Sequence, residues 1–261
     1  RQPALVLDWR GALGAGDALL EQAYPHAQRV RVEPDAAWVA RSREQARRPW
    51  WAALRRAGGA VKVVAEADDI AAGAGLIWCN MALHAVVDPI PLFERWQRLL
   101  RVDGFVMFSC LGPGTLRELR ALYQRLGWPA PTPGFIDMHD LGDMLVHAGF
   151  ADPVMDQETL TLRWDNPRAL LAELRSLGGN TAPDRIKRLR SPRWRARLER
   201  ELESIAAPDG TLGLSFEVAY GHAFKAAPRL HADAPTTVSL EDMRAMVRSS
   251  HGRPGQRKPL R

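Results

Sequence analysis

The first apolar run of the chain leads into an acidic residue and a glycine-rich turn. Asp8 stands near the end of this run, and Gly11, Gly14 and Gly16 follow where a helical pattern begins. Glycines between a strand and a helix let the backbone approach a ligand closely, and the N-terminus of the helix adds unpaired N–H groups. The pattern therefore predicts a ligand-binding turn.

A second acidic residue, Glu33, ends the next strand-like run. An acid about 20 residues after a glycine-rich turn commonly binds the two hydroxyls of a ribose. The turn, the spacing and the acid together favour a nucleoside-type cofactor. The alternative is that Glu33 only stabilises a helix N-terminus, because Pro34 and Asp35 begin the next helical pattern.

Other common catalytic groups are missing. The histidines, at 26, 84, 139, 147, 222, 231 and 251, have no metal-ligand spacing, and no Ser-His-Asp set is recognisable. The two cysteines, Cys79 and Cys110, lie in apolar runs, which indicates buried thiols in a reducing cytosol. These features argue against hydrolases, metalloenzymes and disulfide scaffolds, and we expect no metal.

The elements that carry these residues alternate between strand and helix patterns. Such alternation, with short apolar strands, is typical of a parallel sheet covered by helices on both faces, which binds ligands at the carboxyl ends of its strands. The predicted strands are 4–9, 29–33, 61–65, 76–79 and 105–110, with a turn at 103–104. The predicted helices are 14–24, 35–48, 91–101, 115–126 and 138–147.

The regular alternation of strand and helix patterns ends at Gly149. Two further strands, at 153–164 and 214–224, are separated by about 50 residues that hold helical patterns at 167–177 and 184–205. We expect a main domain over 1–226 with a lid insertion at about 165–212, and a basic, disordered tail over 227–261.

Composition and charge limit the class of protein. The 261 residues are 46% hydrophobic and 25% charged, without an apolar run long enough for a transmembrane helix. We expect no signal peptide, because Asp8 and Arg10 interrupt the first apolar segment, and a missing natural N-terminal segment, because the chain starts at Arg1 without Met. Residues 185–200 hold eight basic side chains and one acid. Such a block binds nucleic acid, anionic lipid or an acidic protein, or is a solvated helix face.

Several segments resemble a known family. The run IWCNMALHAVVD at 77–88, the amphipathic helix after it and the segment LLRVDGF at 99–105 resemble the middle of class I S-adenosylmethionine-dependent methyltransferases. The segments 108–119, 174–181 and 214–221 narrow the resemblance to the malonyl-acyl-carrier-protein O-methyltransferase (BioC) family of biotin synthesis. It covers about residues 4–226. It implies an α/β fold, a Rossmann-like seven-stranded sheet with helices on both faces and a small helical lid insertion.

The resemblance also implies an activity and a set of binding residues. The family transfers a methyl group from S-adenosylmethionine to the free carboxyl of a malonyl thioester. By position, residues from the strand ends would bind the cofactor: Asp8 and the Gly11–Gly14 turn at the methionine moiety, Glu33 at the ribose, Asp68 at the adenine, and Asn80 and Leu83 as the floor. The candidates for the substrate site are His84, Arg175, Phe216 and Tyr220. The alternatives are a surface arginine for Arg175, and core residues of an alternating strand for Phe216 and Tyr220.

The turn departs from the family pattern, Asp-x-Gly-x-Gly-x-Gly. Arg10 and Ala12 occupy the first two glycine places, and Gly14 alone matches. Arg10 would be unfavourable near a sulfonium unless it pairs with Asp8 or with the cofactor carboxylate. The departure keeps a second hypothesis open, a non-catalytic scaffold or assembly protein that retains the fold with a degenerate cofactor site.

The basic block suggests a partner under the resemblance. An acyl carrier protein is strongly acidic, and we expect it to dock on the block from Arg185 to Arg200. No aromatic-interleaved motif supports nucleic-acid binding. We expect a cytoplasmic monomer without a membrane or nucleic-acid partner.

Overall fold

A computed structural model describes residues 2–12, 16–46, 61–68, 70–177, 180, 185 and 189–227. The strands are β1 (Leu5–Trp9), β2 (Gln28–Glu33), β3 (Lys62–Ala65), β4 (Ala74–Cys79), β5 (Leu100–Leu111), β6 (Ala151–Trp164) and β7 (Leu212–Phe224). The helices are α1 (Asp17–Ala23), α2 (Ala36–Ala46), α3 (Pro89–Leu99), α4 (Arg117–Arg125), α5 (Met138–His147), α6 (Pro167–Ser176) and α7 (Pro192–Glu203), with a 3₁₀ turn at Leu83–Ala85. Gly14 and the tail after residue 227 lie outside the described residues.

The seven strands form one sheet in the order β3-β2-β1-β4-β5-β7-β6. The first five strands are parallel, and β7 lies antiparallel between β5 and β6. The predicted α/β, Rossmann-like seven-stranded fold is confirmed. The carboxyl ends of β1 to β5 meet at one edge of this sheet, where parallel α/β sheets bind their ligands.

The main core lies between the sheet and the helices α3 and α5. α3 begins at Pro89 because the Asp88 side chain caps it, accepting from the Ile90 N–H at 3.1 Å. Its inner face buries Phe93 and Trp96 completely against β1, β4 and β5. Burial of each such aromatic side chain contributes about 3 kcal/mol, which fixes the position of the strand ends that carry the site.

Two predictions are wrong by more than the few residues by which the observed and predicted ends of the other elements differ. The turn expected at Asp103-Gly104 lies inside β5, where the register against β4 shifts between Ala74 and Leu76 and forms a bulge. Asp103 has a φ of 61°, and a Cβ on Gly104 would lie 2.8 Å from the carbonyl oxygen of Ala74. The residues therefore serve a strand irregularity instead of a chain reversal.

The second wrong boundary is the helix expected from residue 184. Arg185 and residues 189–191 are not helical, and α7 begins only at Pro192. Ser191 caps it, its hydroxyl accepting from the Trp194 N–H at 3.2 Å. Proline is accepted at the first position of a helix and disfavours a helical conformation in the residue before it, so the helix starts there. In the described part of the chain, no helix is long and apolar enough to cross a membrane.

The antiparallel pair of strands β6 and β7 extends beyond the rest of the sheet. The last pair between β5 and β7 is Leu111 with Val218, whereas pairs between β6 and β7 continue to Trp164 with Leu212. The helices α6 and α7 connect these extended ends and pack with α4 on a second cluster that includes Leu170, Leu198, Leu202, Leu212, Leu214 and Phe216. The extension lies at the same edge as the carboxyl ends of the parallel strands.

Candidate functional site

Glu33 ends β2 and is completely buried at the edge of the sheet formed by the carboxyl ends of β1 to β5, which is called the ligand edge below. Its Oε1 accepts from the Ala12 N–H at 2.9 Å, while its Oε2 is buried and makes no hydrogen bond. Burial raises the pKa of Glu33, and the Ala12 N–H, the Ser42 hydroxyl and the charges of Arg31 and Arg10 offset part of the rise. A buried carboxylate oxygen without a partner is costly, and a ligand that donates to it would remove the cost.

The alternative for Glu33, a role at a helix N-terminus, does not fit the contacts. The first N–H groups of α2, those of Ala37 and Trp38, donate to Asp35 Oδ1 at 2.9 and 3.0 Å. Asp35 therefore caps α2, and Glu33 faces the turn after β1.

Asp8 on β1 is buried beside a buried arginine. Arg31 Nε lies 3.3 Å from Asp8 Oδ2, and its other nitrogens lie 2.9 Å from Asp17 Oδ1 and 3.1 Å from Ser42 Oγ. Burial raises the pKa of Asp8 to about 6, although the Arg31 charge acts in the opposite direction. A Cβ on Gly11 would lie 2.0 Å from Asp8 Oδ2, so the carboxyl group packs directly on the glycine of the turn.

Arg10, in the first glycine place of the turn, pairs with an acid that the sequence did not suggest. Its Nε lies 2.9 Å from Glu66 Oε1, just after β3, and Trp9 Nε1 donates to the same oxygen at 3.1 Å. The expectation that Arg10 pairs with Asp8 or with a cofactor carboxylate is thus replaced by a pair within the protein. Arg95 supports this pair, because it donates to the Glu66 carbonyl and stacks over the Trp9 ring at 5.3 Å.

The remaining predicted cofactor residues occupy different environments. Asp68 is exposed, and its Oδ2 accepts from the Ala65 N–H at 2.7 Å, so this carboxyl group closes its own turn after β3. Asn80 follows β4, and its Oδ1 accepts from the Ser109 hydroxyl at 2.7 Å. Leu83 is buried in the main core. The contacts therefore bring together Asp8, Gly11 and Glu33, whereas the Asp68 side chain is engaged in its own turn.

A cavity of about 150 Å³ lies beside His84, between the 3₁₀ turn, the end of β5 and residues 133–136. Its walls are mostly apolar, and the Phe135 ring meets the His84 ring edge to face at 6.3 Å. His84 Nδ1 accepts from the Leu111 N–H at 3.4 Å. Burial lowers the pKa of His84, so the ring is neutral at pH 7.

The other three predicted substrate residues do not line this cavity. Arg175 is exposed in the last turn of α6. Phe216 is buried in the second cluster with the insertion helices. Tyr220 is 39% exposed, and its hydroxyl donates to Glu158 Oε1. That hydrogen bond raises the pKa of Tyr220.

Comparisons with known proteins identify the family. A malonyl-[acyl-carrier protein] O-methyltransferase from Gallionella capsiferriformans is 36% identical over 91% of this chain and 82% of its own length. The chain belongs to the malonyl-[acyl-carrier protein] O-methyltransferase family. A relative of the same name from Laribacter hongkongensis is 35% identical over 87% of this chain and 77% of its own length. No family model matches the sequence.

Solved structures support the fold of this methyltransferase family member. The YcgJ protein from Bacillus subtilis superposes with a TM-score of 0.58 at 12% identity, over 87% of this chain and 94% of its own. A phosphoethanolamine N-methyltransferase 2 from Haemonchus contortus, solved with S-adenosylhomocysteine, gives 0.50 at 15% identity, over 87% of this chain and 50% of its own.

Sequence reasoning missed three residues that shape the site of this family member. Arg31 pairs with Asp8, Glu66 pairs with Arg10, and Ser109 holds Asn80. The signal for Arg31 was its place in the run RVRVE, because an arginine within a strand buried on both faces requires an acidic partner. In the described ranges, no group of three His, Cys, Asp or Glu side chains could hold a metal ion.

Proposed function

We propose that this chain transfers a methyl group from S-adenosylmethionine to the free carboxyl of a malonyl thioester on an acyl carrier protein, in cytoplasmic biotin synthesis. Membership of the family supports the reaction. The observation that carries the proposal is Glu33 Oε2, a buried acceptor without a partner at the ligand edge of the sheet.

The described residues fit the cofactor at its nucleoside end. Glu33 offers the acceptor for a ribose hydroxyl, and the turn at Gly11 brings the backbone next to it through the Ala12 N–H. We propose that Asp8 lies near the sulfonium, where a positive charge would favour its ionised form, and that Asn80 and Leu83 form the floor. The cofactor, when bound, supplies a methyl group on a positively charged sulfur.

The chain needs no general base for this reaction. A carboxylic acid with an ordinary pKa is ionised at pH 7, so a malonyl carboxylate is already a nucleophile. We propose that the cavity beside His84 receives it: the apolar walls exclude water, and the His84 ring, whose Nδ1 accepts from the Leu111 N–H, has its other nitrogen left to donate to the carboxylate. The thiols take no part, because burial raises the pKa of Cys79 and raises that of Cys110 to about 12. Arg175, Phe216 and Tyr220 stay predictions as substrate contacts.

Calorimetric titration with S-adenosylhomocysteine tests the cofactor site. We expect the wild-type chain to bind, and Glu33→Ala to bind at least about tenfold more weakly, because a hydrogen bond to a charged group contributes about 1.5–3 kcal/mol. Glu94→Ala, on the exposed side of α3, is the matched control and should bind like the wild type. No heat of binding to the folded wild-type chain would favour the non-catalytic alternative, and equal affinity of Glu33→Ala would remove Glu33 from the site.

We also propose that the acyl carrier protein docks on the basic segment over 185–200. Not all of its arginines are equally available: Arg195 lies 2.9 Å from Glu199, and Arg190 and Arg197 stack over Trp194 and Trp128. α7 nevertheless presents exposed arginines beside the extended ends of β6 and β7, at the edge of the sheet where ligands bind. The effect should act mainly on the encounter rate and weaken as the salt concentration rises.

Charge reversal tests the docking surface. The test variant changes Arg185, Arg193 and Arg200 to Glu, and the control variant changes Lys62, Arg98 and Arg101 to Glu. All six side chains are exposed, and Lys62 and Arg101 are the first residue of β3 and the second residue of β5, at the opposite end of these strands from the ligand-binding edge. We expect the test variant alone to lose binding of malonyl-loaded carrier protein at low salt while keeping its affinity for S-adenosylhomocysteine. Equal loss in both variants, or in neither, would place docking elsewhere.

A further inference from the structure

The turn after β1 carries a large cation where the family pattern has glycine. Arg10 has a φ of 57°, a left-handed conformation that is unfavourable for a residue with a side chain. Its N–H donates to the Val32 carbonyl at 2.7 Å, which holds the residue beside the end of β2. The backbone of the turn is thus kept in a glycine-like conformation although the glycine is absent.

The Arg10 guanidinium is directed to the end of β3. Its Nε and Trp9 Nε1 share Glu66 Oε1 as acceptor, at 2.9 and 3.1 Å. Both charged side chains are about four-fifths buried, with 19% and 20% exposed, so solvent screens the pair only partly. Arg95 fixes the backbone of Glu66 by donating to its carbonyl oxygen.

A second acid stands next to Glu66. The Glu66 N–H donates to the Glu33 carbonyl at 2.6 Å, so the two acids follow neighbouring strands at the same level. Arg10 also lies beside Glu33, because its N–H bonds to the carbonyl of Val32, the residue before Glu33. Burial raises the pKa of the Glu33 carboxyl group, and the charge of Arg10 lowers it, after the larger effects of the Ala12 N–H, Ser42 and Arg31. Glu33 Oε2 nevertheless has no hydrogen-bond partner. Arg10 therefore has two acidic neighbours and is bonded to one.

We propose that Glu66 is a positioning residue that holds the Arg10 guanidinium away from Glu33 and so keeps Glu33 Oε2 open to a ribose hydroxyl. A free guanidinium would otherwise bind the unpartnered carboxylate oxygen, because a charge-assisted hydrogen bond removes the cost of leaving it unpaired. This inference rests on the proposed function for its cofactor, and it explains how the chain accommodates an arginine in a cofactor turn.

The pair of Arg10 with Glu66 is called the tether below. Binding of S-adenosylhomocysteine to a set of variants tests it. Glu66→Gln keeps an oxygen for Trp9 Nε1 but loses the charge that holds Arg10. We expect it to weaken binding about tenfold, because Glu33 becomes occupied. Adding Arg10→Gly to it should restore the affinity to within about twofold of Arg10→Gly alone. Glu94→Gln, the same change on the exposed side of α3, should have no effect.

Two outcomes would overturn the tether. Unchanged affinity of Glu66→Gln would show that Arg10 does not need holding. Failure of Arg10→Gly to restore binding would show that Glu66 contacts the cofactor itself, because a tether is dispensable once the arginine is gone.

A second measurement keeps the tether separate from the proposed function. If the wild-type chain does not bind S-adenosylhomocysteine, the proposed cofactor site fails, and thermal unfolding then tests the tether alone. We expect the changes in Tm from Arg10→Gly and Glu33→Gln to be more strongly non-additive in the Glu66→Gln background, where the two residues pair, than in the wild-type background, where they interact only without a hydrogen bond. Equal coupling between the two substitutions in both backgrounds would refute the tether.

Discussion

Asp8 allows a quantitative test of how burial and an ion pair compete. Burial raises its pKa to about 6 from an ordinary value of 3.8, despite Arg31 at 3.3 Å. The folded chain then holds the Asp8 proton more tightly than the unfolded chain does. The Asp8 contribution to stability is therefore fully present below pH 3.8 and is lost as the pH rises through 6. At ~1.4 kcal/mol per pKa unit, the loss has a ceiling of about 3 kcal/mol.

The test substitution is Asp8→Asn, which keeps the shape of the side chain and removes its ionisable carboxyl group. Urea unfolding of both proteins at pH 4.5 and at pH 7 gives the free energy of unfolding of each. Asp8→Asn shifts stability at every pH, because Arg31 loses one acidic partner and keeps Asp17. The informative quantity is the difference between the two proteins, and we expect the wild type to lose about 2 kcal/mol relative to the variant between these pH values.

The matched control is Asp143→Asn, on an exposed position of α5. Its difference from the wild type gives the effect of the same substitution at an exposed site and is the reference for the Asp8 result. A wild-type advantage that grows with pH would mean that attraction to Arg31 outweighs burial, and the account of Asp8 would be wrong.

Three further substitutions separate site from scaffold. Gly11→Ala should weaken binding of S-adenosylhomocysteine measured by calorimetry, because its Cβ would lie 2.0 Å from Asp8 Oδ2; unchanged affinity would show that Asp8 moves freely. Gly104→Ala should lower the free energy of unfolding by roughly 1–3 kcal/mol in urea and leave that affinity unchanged, since its Cβ would meet the Ala74 carbonyl at 2.8 Å. Phe216→Ala should cost about 3–5 kcal/mol of stability, because the ring is buried in the second cluster. An unchanged Tm with lost methylation of malonyl-loaded carrier would favour the substrate interpretation of Phe216 instead.

The fold could be predicted because the spacing of apolar residues in the sequence distinguishes strands from helices. Each of β1 to β5 forms at an apolar run that predicts a strand, and the helices α6 and α7 lie between the last two strands in the chain. The errors arose where local signals compete with tertiary contacts. Asp103-Gly104 is typical of a turn, but pairing with β4 turns it into a bulge. Pro192 limits α7 more strongly than the helical pattern before it suggests.

The site could be predicted in part, because the sequence shows which residues end each strand but not which side chains pair. Glu33 stands at the ligand edge, as its place after a strand predicted. The pairing of Arg10 with Glu66 spans 56 positions, and that of Arg31 with Asp8 spans 23. Such pairs depend on the order of strands in the sheet, which a single sequence does not reveal. Asp68 is the opposite case, because a local contact decides its role. The resemblance assigns its carboxyl group to the adenine, but the Ala65 N–H within the same turn already donates to that group.

The position of β7 between β5 and β6 has a consequence for synthesis on the ribosome. β6 pairs with β7, and the chain completes β6 at Trp164 but completes β7 only at Phe224. At ~5–20 residues per second, the translated β6 waits about 3–12 seconds for its partner, and the edge of β5, which is complete at Leu111, stays open for about 6–23 seconds. An unpaired strand of this length is an aggregation hazard. Its central residues, 156–159, read Asp-Gln-Glu-Thr, and such polar and charged side chains oppose association with other nascent chains while the partner is still being made.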